Sequence, residues 1–250
     1  MMLYIAFILL AASIGVAQNL PPDKTIFVAG SGLNKIYISY VASLTNKPNP
    51  KICFVPTATG DNPATISAWY TSCEGLPLQP TVLRTFINSK TSLKSFEEII
   101  MSMDAIIVGG GNTLNMMAIW KAQGIDVALR KAYDRGIILA GGSAGSLCWF
   151  TGGSTDSRPK ELTIVEGLGI LNYSHSPHYL LEAGRKPLYH ELIKSGKLTA
   201  GYACDDFAGL LFVNGEVKKS VSQNEENKNY FVSLKDGKII ETVLPAEIIK

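Results

Sequence analysis

Short apolar runs alternate with longer stretches of helical periodicity from Lys24 onward. Five runs rich in β-branched residues predict strands, at Thr25–Ala29, Ile52–Pro56, Val82–Phe86, Ala105–Val108 and Ile137–Ala140. The stretches between them predict helices, at Asn62–Glu74, Ser92–Met101, Asn112–Ala122 and Asp126–Asp134. Continuous β-branched runs of this length are typical of parallel strands covered on both faces. The pattern therefore predicts a three-layer, doubly wound α/β fold around a mostly parallel sheet.

The pattern changes after Ser143. Residues 151–180 are rich in Gly, Ser, Thr and Pro and indicate loops and short strands, whereas Gly184–Lys194 is predicted to be helical. Short apolar runs recur from Leu198 onward, and Asn214-Gly215 and Asp236-Gly237 are strong hairpin signals. We expect antiparallel C-terminal strands that close the edge of the same domain, so residues 18–250 are predicted to form a single α/β domain.

The N-terminal residues predict an export signal. Residues 1–22 contain no Asp, Glu, Lys or Arg, and the apolar run Leu3–Ala12 precedes Gly15-Val16-Ala17, a small-x-small pattern that signal peptidase accepts. We expect residues 1–17 to be a signal peptide, and the mature protein to be periplasmic or secreted, without membrane attachment. Because no Lys or Arg precedes the apolar run, a retained anchor or a disordered or mis-started extension are alternatives.

Composition narrows the possible partners. Lys and Arg number 23 against 21 Asp and Glu, a net charge of +2, so the chain lacks the basic field of a nucleic-acid-binding protein. The four cysteines have no CxxC spacing and are predicted to be buried free thiols. No His/Cys cluster has zinc-ligand spacing, so we expect neither a metal nor an organic cofactor. A homo-oligomer is compatible with the sequence.

The strongest candidate for chemistry is Gly141-Gly142-Ser143-Ala144-Gly145, which follows the fifth predicted strand. A strand that enters a glycine-rich turn and then a helix is the setting of a nucleophile elbow, where a strained turn exposes the serine hydroxyl. The same turn would place the Ala144 N–H beside an attacked carbonyl group. A plain glycine-rich turn is the alternative.

A second glycine-rich loop, Gly109-Gly110-Gly111-Asn112-Thr113, follows the fourth predicted strand. Its N–H groups could bind an oxyanion, and Asn112 could cap the next helix or contact substrate. Both loops lie at the carboxyl ends of consecutive predicted parallel strands, where open α/β sheets bind ligands. Gly30-Ser31-Gly32 lacks the third glycine of a dinucleotide loop, and no acidic residue marks the end of the second strand, so Rossmann-type dinucleotide binding is rejected.

Ser143 requires a base, and the sequence offers three histidines. His190 falls in a predicted helix, whereas His175 and His178 flank Ser176-Pro177 in a loop, and spacing alone does not choose between them. Asp156 is well placed after the elbow to orient the imidazole. Its rivals are Glu166, Glu182 and Asp206.

Together these residues resemble the peptidase E (aspartyl dipeptidase) and cyanophycinase family of serine peptidases. The resemblance covers roughly residues 24 to 215 and is carried by four segments in this order: Val108–Thr113, Ala140–Ser146, Thr155–Ser157 and Ser176–Tyr179. It implies a flavodoxin-like or class I glutamine amidotransferase-like fold. It also implies Ser143 as nucleophile, His178 as base, Asp156 as the third member of the triad, and the N–H groups of Gly111 and Ala144 as the oxyanion hole.

The function implied is hydrolysis of small peptides, including those with an N-terminal aspartate, through an acyl-enzyme. Asn112 and Thr113 are predicted to bind substrate, and Arg158, Arg185 and Lys186 are candidate partners for its charges. A cyanophycinase-like hydrolase of a poly-aspartate-arginine polymer is the first alternative. Others are an α/β-hydrolase esterase and a non-catalytic relative that binds peptides. The esterase is disfavoured because that fold needs further strands and helices between its serine and histidine.

Overall fold

The computed structural model describes residues 22–32, 34–86 and 94–250. The predicted signal peptide, residues 1–17, lies outside these ranges. The strands in chain order are β1 (Thr25–Ala29), β2 (Lys51–Val55), β3 (Gln79–Val82), β4 (Ala105–Val108), β5 (Ile138–Gly142), β6 (Phe150–Thr155), β7 (Thr163–Glu166), β8 (Leu171–Ser176), β9 (Gly201–Cys204), β10 (Ala208–Val213), β11 (Glu216–Ser222), β12 (Asn229–Lys235), β13 (Lys238–Leu244) and β14 (Glu247–Ile248). The helices are α1 (Lys35–Leu44), α2 (Pro63–Cys73), α3 (Phe96–Met101), α4 (Thr113–Gln123), α5 (Ile125–Asp134), α6 (Ala144–Leu147) and α7 (Arg185–Lys194), with a 3₁₀ turn at Thr57–Thr59.

The first sheet confirms the predicted mostly parallel core. Its eight described strands run in the order β14-β11-β10-β1-β5-β4-β2-β3, and β1, β5, β4, β2 and β3 are mutually parallel. One face packs against α1 and α2, and the other against α3, α4 and α5. Strands β4 and β5 are fully buried, as expected for apolar strands between two helical layers.

The C-terminal half differs from the prediction that its antiparallel strands would only close the edge of the first sheet. Strands β10 and β11 do extend the first sheet antiparallel to β1. Most of the other strands after α6 form a second sheet of six described strands, in the order β13-β12-β9-β8-β6-β7. Within it β6, β8 and β9 are parallel. Helix α7 packs on this second sheet through Tyr189, Leu192 and Ile193.

Local signals account for several element boundaries. Ser95 and Glu98 form the predicted capping box at the start of α3, although the first predicted residues of that helix lie outside the described ranges. Asn214-Gly215 and Asp236-Gly237 join β10 to β11 and β12 to β13, and all four residues have positive φ. This is the conformation that two-residue hairpin loops require.

The third strand begins three residues earlier than the sequence pattern predicts. The sequence pattern predicts it at residues 82–86, whereas β3 covers residues 79–82. The N–H groups of Thr85 and Phe86 donate to the buried carboxylate of Asp61 at 2.5 and 2.7 Å, which turns this segment away from the sheet. Pro80 is tolerated because β3 is the edge strand and pairs only with β2.

All four cysteines are buried and unpaired, as predicted. Among the described residues, no helix has both the length and the apolar character needed to cross a bilayer. In the same ranges, no three His, Cys, Asp or Glu side chains are grouped as metal ligands would be.

Trp120 offers a test of the core between α4 and the first sheet. Its ring is fully buried, and Nε1 donates to Thr57 Oγ1 at 3.0 Å. Trp120→Ala should lower the free energy of unfolding by about 3–5 kcal/mol, because it leaves a cavity and removes one of the two hydrogen bonds that the Thr57 hydroxyl accepts. The control Val127→Ala, at a side chain 53% exposed, should change it by about 0.5 kcal/mol or less. Urea denaturation measures both, and equal effects would contradict this packing.

Candidate active site

Ser143 lies on a sharp turn between β5 and α6. Its backbone has φ 55° and ψ −121°, a conformation that L residues rarely adopt. Close backbone contacts enforce the turn: a Cβ on Gly142 would stand 1.9 Å from Ser31 O, and one on Gly145 would stand 2.1 Å from Val108 O. The glycines of the motif are therefore required by packing, and the predicted strand–turn–helix geometry is confirmed.

His178 reaches Ser143 from the second sheet. Its Nε2 lies 2.9 Å from Ser143 Oγ, within hydrogen-bond distance, and its side chain is about one quarter exposed. His178 follows β8, has a φ of 51°, and donates its backbone N–H to Gly30 O at 3.3 Å. The loop after β1 therefore helps to fix the backbone that carries the imidazole.

Asp206 holds the other side of the same ring. Its Oδ1 lies 2.5 Å from His178 Nδ1, and its side chain is only 14% exposed. Since a carboxylate only accepts, Nδ1–H donates to Asp206 and Nε2 is left to accept the Ser143 hydroxyl proton. The next residue, Phe207, has a φ of 60° and donates its N–H to Ser31 Oγ at 3.3 Å. Serine, imidazole and carboxylate thus stand in one line of hydrogen bonds.

Strand pairing explains why His178 and Asp206 meet. Strands β8 and β9 are parallel neighbours in which Ser176 pairs with Ala203. His178 comes two residues after the first of this pair, and Asp206 comes three residues after the second. The carboxyl ends of the two strands therefore place base and acid side by side, opposite the end of β5.

The chain that carries this site is similar to known proteins over most of its length. Residues 26–220 match peptidase family S51. The chain belongs to this family. It is 40% identical over 210 residues to the Bacillus subtilis (strain 168) protein named uncharacterized peptidase YgaJ, with 84% of this chain and 90% of that relative covered. The family assignment makes this chain a serine peptidase, as the sequence resemblance implied.

Two solved structures share the fold of this S51 peptidase. A peptidase from an acI-B1 Actinobacterium superposes with a TM-score of 0.68 at 17% identity, covering 90% of this chain and 96% of that one. A protein from Listeria monocytogenes EGD-e, named as a peptidase E protein, gives a TM-score of 0.58 at 21% identity, covering 80% and 100%. At these identities the likeness concerns the fold alone.

The structure corrects the predicted acid of the S51 peptidase. Asp156 does not contact the imidazole: its side chain is 66% exposed, and its Oδ1 lies 3.8 Å from Arg185 Nη2. Asp206, named from sequence only as a rival, occupies the position instead. The other rivals are also elsewhere, since Glu182 pairs with Arg185 and Glu166 is an exposed residue of β7. Choosing among these carboxylates requires the pairing of β8 with β9, which apolar periodicity does not reveal.

The predicted substrate contacts Asn112 and Thr113 have structural roles. Asn112 caps α4 by accepting the Asn115 N–H at 2.8 Å, and its Nδ2 donates to Ser157 O at 2.9 Å. Thr113 is buried in the first turn of that helix. These contacts give both residues a structural role, and their role in substrate binding stays a prediction.

The glycine-rich loop lies against Ser143. A Cβ on Gly110 would stand 3.2 Å from Ser143 Cβ and 3.6 Å from Ser143 Oγ. Gly111 has a φ of 131°, and a Cβ there would meet Ala58 O at 2.5 Å. The peptide between these two glycines therefore passes beside Ser143, and the Ala144 N–H that follows Ser143 begins α6.

The candidate cations for substrate charge are engaged within the protein. Arg185 is buried, paired with Glu182 and hydrogen-bonded to Ser154 O at 2.9 Å. Arg158 Nη1 donates to Ile164 O at 2.8 Å, and Lys186 Nζ pairs with Glu241 at 2.9 Å.

A second serine–histidine pair lies directly behind the elbow. Ser146 Oγ is 2.9 Å from His175 Nε2, and His175 Nδ1 lies 3.0 Å from Tyr202 O. Both side chains are fully buried, and Phe150 stacks on the imidazole at 4.4 Å. Burial lowers the pKa of His175 to about 3, so this ring is neutral and inaccessible to substrate. The choice between His175 and His178 thus falls to His178.

Asp206→Asn should slow the reaction of Ser143 with a fluorophosphonate probe, because an amide at this position no longer fixes the productive imidazole tautomer. In a serine protease with this arrangement the same change lowers turnover about 10⁴-fold. The matched control Asp156→Asn should react at the wild-type rate. Probe labelling followed in time measures both, and a greater loss in the Asp156 variant would restore Asp156 as the orienting acid.

His175 predicts a pH dependence of stability. Its pKa falls from 6.5 to about 3 on folding, so its contribution is fully present above about pH 6.5 and is lost as pH falls toward 3. Between pH 6 and pH 5 this one group should lower the free energy of unfolding by about 1 kcal/mol. Urea denaturation at both pH values should show this loss in the wild type and not in His175→Gln. Equal losses would contradict the burial of a neutral imidazole.

Proposed function

We propose that this S51 peptidase hydrolyses dipeptides and other short peptides through an acyl-enzyme on Ser143. The observation that carries the proposal is the hydrogen-bonded line from Ser143 Oγ through His178 to Asp206, at 2.9 and 2.5 Å. Serine, histidine and carboxylate in this order form the arrangement that activates a serine hydroxyl in unrelated hydrolases.

The proposed reaction proceeds in two halves. His178 Nε2 takes the proton of Ser143 as Oγ attacks the peptide carbonyl carbon, and Asp206 stabilises the resulting imidazolium. His178 then gives this proton to the leaving amine, and the carbon–nitrogen bond breaks to leave an ester on Ser143. A water molecule, deprotonated by His178, attacks that ester and releases the acid with regeneration of the serine.

We assign the oxyanion hole to the N–H groups of Gly111 and Ala144. The assignment is supported by the passage of the Gly110–Gly111 peptide beside Ser143 and by the position of Ala144 at the start of α6. Two backbone donors directed at the attacked carbonyl oxygen would stabilise negative charge as it develops there. Loss of one such donor typically costs about 10²–10³ in rate.

The chain order of the site argues against an α/β-hydrolase esterase. Those enzymes carry serine, acid and histidine in that order. Here the histidine comes 35 residues after the serine and the acid 28 residues later still. The engaged cations at Arg158, Arg185 and Lys186 give no support to a requirement for aspartate in the substrate.

Ser143→Ala should abolish both fluorophosphonate labelling and peptide hydrolysis. Removal of the nucleophile from a serine protease triad typically costs about 10⁶ in turnover. The assay is a dipeptide library that includes Asp-X, with p-nitrophenyl esters and a poly-aspartate-arginine polymer alongside. Cleavage of esters without peptides would support the esterase, cleavage of the polymer alone the cyanophycinase alternative, and saturable binding without turnover a non-catalytic relative. Equal labelling of wild type and variant would refute the nucleophile.

We further propose that the protein is exported and that residues 1–17 are removed. The proposal rests on the uncharged apolar run and the small-x-small pattern before Gln18. The intact mass and N-terminal sequence of protein recovered from outside the cytoplasm would then begin at Gln18. Recovery of a chain that still begins at Met1 in the membrane fraction would instead support the retained anchor.

A further inference from the structure

A cavity of about 160 Å³ opens beside the nucleophile, between α2 and the carboxyl end of β4. Its walls include the rings of Phe54 and Trp69, which stack with centroids 5.2 Å apart and planes 15° from parallel. Thr65 and Ala68 border it from the same face of α2, and Gly110 and Gly32 line it toward the site.

Two glycines that line the cavity lie next to the turn that carries Ser143. Gly110 lines it, and a Cβ on Gly110 would stand 3.6 Å from Ser143 Oγ. Gly32 also lines it, and its Cα is 3.1 Å from where a Cβ on Gly142 would stand. The side chain of a residue bonded through its carbonyl carbon to Ser143 Oγ is therefore close enough to enter the cavity.

The lining selects for an apolar occupant. Every described residue that lines the cavity is uncharged, and most of the surface is presented by aromatic rings, aliphatic side chains and glycine. A carboxylate placed there would lose its hydration without gaining a counter-charge, which is strongly unfavourable. An apolar side chain would instead gain from the removal of its surface from water.

The volume sets the size of the occupant. An apolar cavity of about 150 Å³ is known to hold a benzene molecule. A volume of about 160 Å³ thus suits the side chain of Leu, Met or Phe, whereas Ala would leave it largely unfilled.

We propose that this cavity receives the side chain of the residue whose carbonyl acylates Ser143, and that the enzyme prefers Leu, Met or Phe there. The inference rests on the proposed acyl-enzyme function. The acyl side is assigned because the leaving amine departs toward His178, which protonates it, while Gly110 flanks the carbon that stays on Oγ. The preference differs from the aspartate that the sequence resemblance implied.

The test compares dipeptides that share one leaving residue: Leu-X, Phe-X, Ala-X and Asp-X. Wild-type kcat/KM for Leu-X should exceed that for Ala-X by about 10²-fold, since each methylene in an apolar pocket is worth about tenfold or more. Asp-X should be no better than Ala-X. Ala68→Phe, which fills the cavity, should lower the Leu-X to Ala-X ratio about tenfold or more.

Ser67→Phe is the matched control. It places the same ring on the neighbouring exposed residue of α2, which does not line the cavity, and should leave the ratio unchanged. The ratio is independent of the fraction of correctly folded enzyme. An unchanged ratio in Ala68→Phe would overturn the inference, as would a wild-type preference for Asp-X.

Fluorophosphonate labelling separates this inference from the function on which it rests. If Ser143 is labelled and Asp-X is preferred, only the cavity assignment fails. If Ser143 is not labelled and no dipeptide is cleaved, the acyl-enzyme function fails and the inference fails with it.

Discussion

The hydrogen bond between Ser143 Oγ and His178 Nε2 joins the two sheets of this protein at their carboxyl ends. Ser143 is carried by the central strand β5 of the first sheet, and His178 follows β8 of the second. His178 and its partner Asp206 both follow strands of the second sheet, so Ser143 is paired with an imidazole carried by the other sheet. The site therefore exists only because the two sheets are held in register, and the loop after β1 contributes by accepting the His178 N–H at Gly30 and the Phe207 N–H at Ser31.

Backbone strain is concentrated at this junction. Ser143, His178 and Phe207 all have positive φ, and each belongs to the hydrogen-bonded line of Ser143, His178 and Asp206 or directly follows it in sequence. Conformations of this kind are unfavourable for L residues and persist where the surrounding structure fixes them. Here close backbone approach at Gly142 and Gly145, the buried pair Ser146 and His175, and the hydrogen bonds of the β1 loop supply that constraint. The fold thereby holds the hydroxyl, imidazole and carboxylate aligned before substrate arrives.

Much of this arrangement could be predicted from the sequence. Buried β-branched runs identified four of the five parallel strands to within two residues, and glycine spacing identified the elbow because only glycine fits those contacts. Local spacing could not identify Asp206, since Asp156 follows the elbow more closely and the deciding contact depends on the parallel pairing of β8 and β9. Nor could it show that the sequence from residue 150 onward forms a second sheet. These features depend on contacts between segments far apart in the chain.

The account is tested most directly by a crystal structure of the enzyme after reaction with a dipeptide aldehyde or boronate. We predict a covalent bond to Ser143 Oγ, with His178 Nε2 in hydrogen-bond contact with the adduct and His178 Nδ1 donating to Asp206. An adduct on another residue, or an imidazole held by Asp156 with Asp206 unengaged, would contradict the account.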